Sequence, residues 1–344
     1  FSFSNMVHFI RTLKSSFAIL LQNLKVGILN KCQLIVPYLV LFICFATITM
    51  IYQRRENIEK LVGKSTTHLF GEGDVVKEKK LPGLLIVGVQ KCGTQAIATF
   101  LAHHPNLTRA GHCEIHFFDK ITEKKPKSIQ EYIDIMPETG PWEIAFEKTP
   151  AYFGGTDPVH IYNMLPDVKI LIQMCNPIDR AMSSFLHSQH LNPKVKFANN
   201  ASFESKVFDA NGNINTTCIA IRRGVYVYDL LDYLNYFPRK NILILETEEL
   251  KKNPAETLQK VEKFLNIPPF FKEEQFYMHP KLNTSCVHME YLHTERFSAE
   301  ECLGGNKHRK HPDMNPDTRQ KLQKYFTPLN KKLSIVARMN FSWI

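Results

Sequence analysis

The stretch LLIVGVQKCGT at 84–94 constrains this chain more than any other. Four apolar residues, Leu84–Val87, predict a buried strand, Gly88 and Gly93 predict a tight loop, and Gln95–Leu101 has the spacing of a helix. Strand, glycine loop and helix in that order make an anion cradle. Glycines admit close approach, and amides at the helix N-terminus face the ligand. The spacing Gly88-x4-Gly93 mimics a Walker A loop, but Thr94 stands where that motif requires lysine, and the only lysine of the loop is Lys91. A nucleotide kinase is disfavoured on that ground.

The rest of the chain alternates short apolar runs with helical patterns. Asp157-Pro158 opens a helix that stops before Pro166. Val168–Met174 and Asn241–Leu245 read as buried strands. Pro177–His190, Tyr226–Phe237, Pro254–Leu265 and Pro316–Ala337 read as helices. Apolar strands alternating with helices predict an α/β fold, a central, mainly parallel sheet with helices on both faces.

The 344 residues carry a formal net charge of +10, which points to an anionic partner, and no nucleic-acid signature accompanies it. Leu34–Tyr52 is 19 residues without a charge, about the length that crosses a bilayer core. It predicts a single signal-anchor span, with 1–33 as a tail, 53–80 as a polar stem and 81–344 as the folded domain. Asn106, Asn200, Asn215, Asn283 and Asn340 each begin an Asn-x-Ser/Thr glycosylation triplet, which suggests a lumenal domain. Six of eight cysteines follow the span, and Cys286 and Cys302 close a short loop. In an oxidising compartment that pair could form a disulfide worth about 3 kcal/mol. Cys92, Cys113 and Cys175 read as buried, inert thiols near the cleft. His112-Cys113-Glu114 and the His112/His116 spacing only partly match zinc motifs, so no metal is expected.

Four motifs occur in an order that resembles the heparan sulfate glucosaminyl sulfotransferases, the 3-O-sulfotransferase branch most closely. They are GVQKCGT (88–94), EIHFFD (114–119), EKTPAYF (147–153) and the tail Cys302-Leu-x3-Lys307-x-Arg309-x-His311-Pro312. The resemblance runs from about Leu81 to the C-terminus. It implies a P-loop-like sulfotransferase fold and a type II Golgi membrane protein with a lumenal catalytic domain. It also implies the donor 3′-phosphoadenosine 5′-phosphosulfate (PAPS) and heparan sulfate as acceptor. Lys91, Cys92, Gly93 and Thr94 match the donor loop, Ser183 the serine on the donor's 3′-phosphate, and Lys307 and Arg309 the basic tail. Glu114 matches the catalytic glutamate, with His116, Lys148 and Asp119 beside it. His116 shares strand parity with Glu114, so an extended segment would face both into the cleft.

The chain departs from that pattern at several places. Cys175 stands where the family has an arginine for the donor's 3′-phosphate, and Cys92 replaces a loop glycine. Gln90 and Gln95 occupy positions at which relatives carry basic residues that contact the polysaccharide. Losing a charge-assisted phosphate contact weakens donor binding, and Arg180, Arg222 and Arg223 are candidate replacements. The expected activity is sulfuryl transfer to a glucosamine hydroxyl, most simply 3-O. The alternatives are N-sulfation of the same glycan, or a catalytically weak homologue that binds heparan sulfate.

Overall fold

The computed structural model describes residues 76–111, 113–119, 126–191, 202–280, 284–288 and 312–344. The expected tail, the span at 34–52 and most of the stem lie outside them, as do Asn200, Asn283, Cys302, Lys307 and Arg309. Among the described residues no helix is long and apolar enough to cross a membrane.

In chain order the elements are β1 (Glu78–Lys79), β2 (Leu84–Gly88), α1 (Thr94–Leu101), β3 (Leu107–Arg109), α2 (Ile129–Ile135), β4 (Glu138–Thr139), β5 (Ile144–Lys148) and α3 (Pro158–Met164). There follow β6 (Lys169–Met174), α4 (Pro177–Leu191), α5 (Phe203–Val207), α6 (Ile219–Arg222), α7 (Tyr226–Tyr236) and β7 (Ile242–Glu246). The last are α8 (Thr247–Lys252), α9 (Pro254–Leu265), β8 (Phe276–His279), β9 (Thr284–Val287) and α10 (Pro316–Ala337). The described fold begins a little before Leu81, because Glu78 and Lys79 pair with β4.

Five strands form the central sheet in the order β3-β5-β2-β6-β7, and every pairing is parallel. Their apolar runs are buried on both faces, as parallel sheets require. Leu85 and Val87 of β2 join Ile170 and Ile172 of β6 in the core on one face, against Leu230, Tyr233 and Leu333. Leu84, Ile86 and Leu171 point the other way, against Ile97, Leu101, Leu258 and Val261. Helix starts follow the local chemistry. The Asp157 side chain accepts from the Val159 amide at 3.0 Å, with Pro158 in the first turn of α3.

Strand order decides where a site can form. The chain builds outward from β2 to β5 and β3 on one side and to β6 and β7 on the other. The crevice beyond the C-terminal end of β2 is therefore the topological switch point at which open α/β sheets bind ligands. The loop 88–94, Lys148 at the end of β5 and Cys175 after β6 all reach that crevice.

Candidate active site

The loop after β2 passes twice through left-handed backbone, which glycine adopts freely and lysine only at a cost. Lys91 has φ 77° and Gly93 φ 78°. A β-carbon at Gly93 would meet the Gln173 amide nitrogen at 3.3 Å, and one at Gly88 would lie 2.4 Å from Phe153. Gly93 caps α1 and no side chain hydrogen-bonds across that helix start. Its first-turn amides thus face outward as an anion cradle does.

Beneath the loop lies a covalent staple. Cys92 and Cys175 are joined as a disulfide, 83 residues apart in sequence. Both are buried as expected, but they are not thiols, because the loop and the end of β6 bring the two sulfur atoms within bonding reach. Cys92 is 1% exposed. Its amide donates to Val89 O at 3.0 Å and its carbonyl accepts from Thr247 Oγ1 at 2.6 Å. With side chain and backbone so committed, Cys92 shapes the loop from below. Tyr226 donates to Cys175 O at 3.0 Å from the same side.

Across the crevice the EIHFFD segment is not a strand. Its residues 114–116 are irregular and 117–119 form a bend, with His116 at φ 58°. That turn, rather than strand parity, brings the acids and the imidazole together, and a left-handed non-glycine residue costs about 1–2 kcal/mol. Lys148 Nζ lies 2.9 Å from Glu114 Oε1, and His116 Nε2 lies 3.4 Å from Glu114 Oε2. His116 Nδ1 is 2.7 Å from Asp119 Oδ2. Lys148 is 6% exposed, whereas the Glu114 side chain keeps 31% of its surface in the open. A carboxylate open to the cleft, backed by an ammonium and an imidazole, can take a proton from an incoming hydroxyl.

The turn is held by a residue the sequence reading passed over. Glu147 is fully buried and accepts from Tyr132 OH at 2.7 Å, Thr149 Oγ1 at 2.7 Å and Tyr152 OH at 3.0 Å. Two of those hydroxyls reach back to the turn: Ile115 N donates to Thr149 Oγ1 at 3.1 Å and Phe117 N to Tyr152 OH at 3.0 Å. Burial raises the Glu147 carboxyl above its ordinary value, and the three hydroxyls and His116 pull it back down. The sequence signal was faint: a glutamate next to Lys148 at a strand end, with its partners spread from Tyr132 to Tyr152.

Gln90 and Gln95 are both gripped by arginines. Arg109 Nη2 donates to Gln95 Oε1 at 3.1 Å, and Arg223 Nη1 donates to Gln90 Oε1. Burial lowers both guanidinium groups from their usual value. Nearby Glu114 acts in the opposite sense on Arg109, and Asp119 does so on Arg223. Arg180 is buried, donates to Ala220 O and leaves Nε and Nη1 without partners. Ser183 is half-buried one turn later on α4.

Of the other expected residues, Cys286 is disulfide-bonded, while Cys302 lies outside the described residues. Cys113, expected to be buried, is instead a free, exposed thiol, because it lies in the irregular segment ahead of Glu114 rather than in a strand or helix of the core. Asn340 is exposed, Asn215 is half-buried, and Asn106 donates its side-chain amide to Trp142 O at 2.9 Å.

Comparison with known proteins places this geometry in context. Residues 81–335 match the sulfotransferase domain family. The heparan sulfate glucosamine 3-O-sulfotransferase 5 of Homo sapiens, and that of Mus musculus, are 34% identical to the chain over 289 residues, covering 80% of each. The human heparan sulfate glucosamine 3-O-sulfotransferase 3B1 is 31% identical over 266 residues, covering 77% of this chain and 65% of that protein. A crystal structure of a sulfotransferase from Alicyclobacillus acidocaldarius superposes with a TM-score of 0.57 at 21% identity. It covers 76% of this chain and 98% of its own.

Proposed function

We propose, for a chain that belongs to the heparan sulfate glucosamine 3-O-sulfotransferases and is a sulfotransferase enzyme, that it transfers a sulfuryl group from PAPS to the 3-hydroxyl of a glucosamine in heparan sulfate. The observation that carries this reading is the Glu114 carboxylate. It is open to the cleft, set 2.9 Å from Lys148, and lies across the crevice from an uncapped helix start.

The residues present fit a phosphate-bearing donor. The α1 amides and Lys91 offer donors and positive charge, and a side chain at Gly93 would crowd Gln173 and strain the backbone. Bound PAPS would supply the sulfuryl group, with adenosine 3′,5′-bisphosphate leaving. Ser183 and the unpartnered nitrogens of Arg180 lie on one helix and are the groups we assign to the 3′-phosphate, in place of the arginine absent at 175. Glu114 takes the proton of the acceptor hydroxyl as its oxygen attacks sulfur. Lys148 and His116 fix the two Glu114 oxygens, and Asp119 orients the imidazole through Nδ1. No step requires a metal, because the transferred group carries fewer negative oxygens than a phosphoryl group and the α1 amides and Lys91 meet charge on the leaving phosphate.

The setting we assign is the Golgi lumen, with Leu34–Tyr52 as a type II anchor. The Cys92–Cys175 disulfide supports it, since such bonds persist in oxidising compartments. Tagged full-length chain should co-localise with Golgi markers and shift on glycosidase treatment; a cytosolic, unshifted chain overturns the placement.

The deciding assay incubates the purified protein with radiolabelled PAPS and heparan sulfate and maps the label by disaccharide analysis. Label on the glucosamine 3-oxygen is expected. Label on nitrogen corrects the position, and no label from a folded, heparin-binding protein overturns the enzymatic reading in favour of a binding homologue.

A further inference from the structure

A cavity of about 580 Å³ between Gly154–Pro158 and α7 sets Asp157, Asp229 and Asp232 against Arg222 and Arg223, so its lining favours neither charge. The outer edge of the sheet is more specific. There Trp142 is 73% exposed, although tryptophan is highly buried on average. Beside it lies Asn106, the first residue of the triplet Asn106-Leu107-Thr108. We propose that Asn106 carries an N-linked glycan whose first sugar, an N-acetylhexosamine, lies on the indole of Trp142. This rests on the lumenal placement above and adds a built seat for one glycan.

The backbone fixes the two residues side by side. β3 is the outermost strand of the sheet on its side, and the Ile144 amide donates to Asn106 O at 2.8 Å where β3 and β5 begin to pair. The Asn106 side-chain amide donates in turn to Trp142 O at 2.9 Å. The turn that presents Trp142 is closed on itself. The Glu143 amide donates to Gly140 O at 3.2 Å, and the Gly140 amide donates to Glu143 Oε2 at 3.3 Å. Thr108 Oγ1 donates to that same Glu143 oxygen at 3.5 Å, so both polar side chains of the triplet face one turn. A seat held this way loses little freedom when a ligand settles on it.

An asparagine amide has two N–H groups, and one is enough for the bond to Trp142 O. The other is where a sugar attaches. The bond forms between Nδ2 and the anomeric carbon of a lipid-pyrophosphate-linked oligosaccharide; the lipid pyrophosphate leaves, and Nδ2 gives up one proton. The sugar is then tethered within reach of the indole, and the remaining N–H holds the linkage in place. A pyranose has an apolar face of C–H groups and a polar rim, which suits an exposed indole whose ring is apolar. Asn106 sits in the turn immediately before β3, the surface setting expected of a glycan acceptor. A glycan there also covers the outer edge of β3, whose unpaired backbone groups would otherwise be open to another chain.

The test uses the full chain made in glycosylating cells, as wild type, Asn106→Gln and Trp142→Ala, with folding checked by thermal melting. Peptide mapping by mass spectrometry should find hexosamine on Asn106 in wild type and in Trp142→Ala. Trp142 and Trp343 are the only tryptophans, so subtracting the emission of Trp142→Ala from that of wild type isolates Trp142. That emission should lie at shorter wavelength and resist acrylamide quenching in wild type, and lose both properties in Asn106→Gln. If the Asn106→Gln variant fails to fold, N-glycosidase treatment of folded wild type, which leaves aspartate at 106, gives the same comparison. Glycan at other asparagines but not at 106 overturns the proposal alone. So does a glycosylated Asn106 with Trp142 quenched equally with and without the sugar. A chain with no glycan at any of its five triplets overturns the lumenal placement, and the seat with it.

Discussion

The two walls of the cleft are made rigid by opposite means. On the loop side, the disulfide between Cys92 and Cys175, the Thr247 bond to Cys92 O and the Val89 amide on Gln173 O hold a backbone that carries little charge of its own. On the facing side, Glu114, His116, Asp119 and Lys148 hold one another through charged contacts, with buried Glu147 pinning the turn from behind. A covalent wall is indifferent to protonation and vulnerable to reductant. A charged wall is the reverse. On the proposed reading the donor sits on the stiff wall and the proton chemistry on the titratable one.

The sharpest way to break the comparison is at the charged wall. Glu114→Gln keeps the shape and removes the proposed base. Its kcat should fall by about 10²–10⁴-fold with donor KM little moved. A variant with more than a tenth of wild-type kcat would mean that another group accepts the proton.

The loop wall should answer to the staple instead. Closing 83 residues of chain, the Cys92–Cys175 bond is worth about 4 kcal/mol in the chain-entropy account. Cys175→Ala should lower the melting temperature accordingly and raise the donor KM, leaving the acceptor KM nearly unchanged. Dithiothreitol should reproduce the donor effect in wild type, and whatever it does to the variant reports the disulfide at Cys286 instead. An acceptor KM that moves as much as the donor KM would show that the walls are not independent.

Glu147→Gln probes the brace behind the charged wall. One of its oxygens becomes an amide facing hydroxyl groups that already donate, so a buried mismatch of about 1–3 kcal/mol is expected. Because Ile115 and Phe117 hang from the same hydroxyls, kcat should fall while both KM values stay close to wild type. Loss of stability with full kcat would reduce Glu147 to a packing role.

How much of this the sequence carried depends on how local each signal was. β2, β6 and β7 were legible because a strand buried on both faces must be apolar throughout, and the helix opened by Asp157-Pro158 announced itself in two residues. β5 was not, since IAFEK ends in the charges that serve the site and so breaks the apolar pattern. The Cys92–Cys175 pair joins residues 83 apart, and spacing among eight cysteines selects no partner. The juxtaposition of Glu114 and His116 was foreseen for the wrong reason. Their shared parity suggested a strand, where a left-handed turn at His116 does the work. The arginines behind Gln90 and Gln95 come from α6's end and from β3, distances no local pattern spans.

The smallest expected effect lies just outside both walls, at Asp229, and it carries a sign that can be read directly. Its carboxyl is pushed from an ordinary 3.8 up to about 7 by burial and by Asp232, against the pull of Arg222 and Arg223, and Tyr233 packs close enough to feel its charge. A group whose value is raised on folding stabilises the fold most when protonated. That contribution is complete below about pH 4 and is lost as pH rises through 7. Three units would amount to about 4 kcal/mol, but a carboxyl at a cavity wall is partly solvated, so about 2 kcal/mol is the better expectation. Asp229→Asn should therefore melt like wild type at pH 4 and above it at pH 8, with the gap opening between those limits. The staple on the loop side has no such titration, so Cys175→Ala should lower stability by the same amount at both pH values. A gap for Asp229→Asn that is equally flat would mean that the cavity wall is fully hydrated and its carboxyl ordinary.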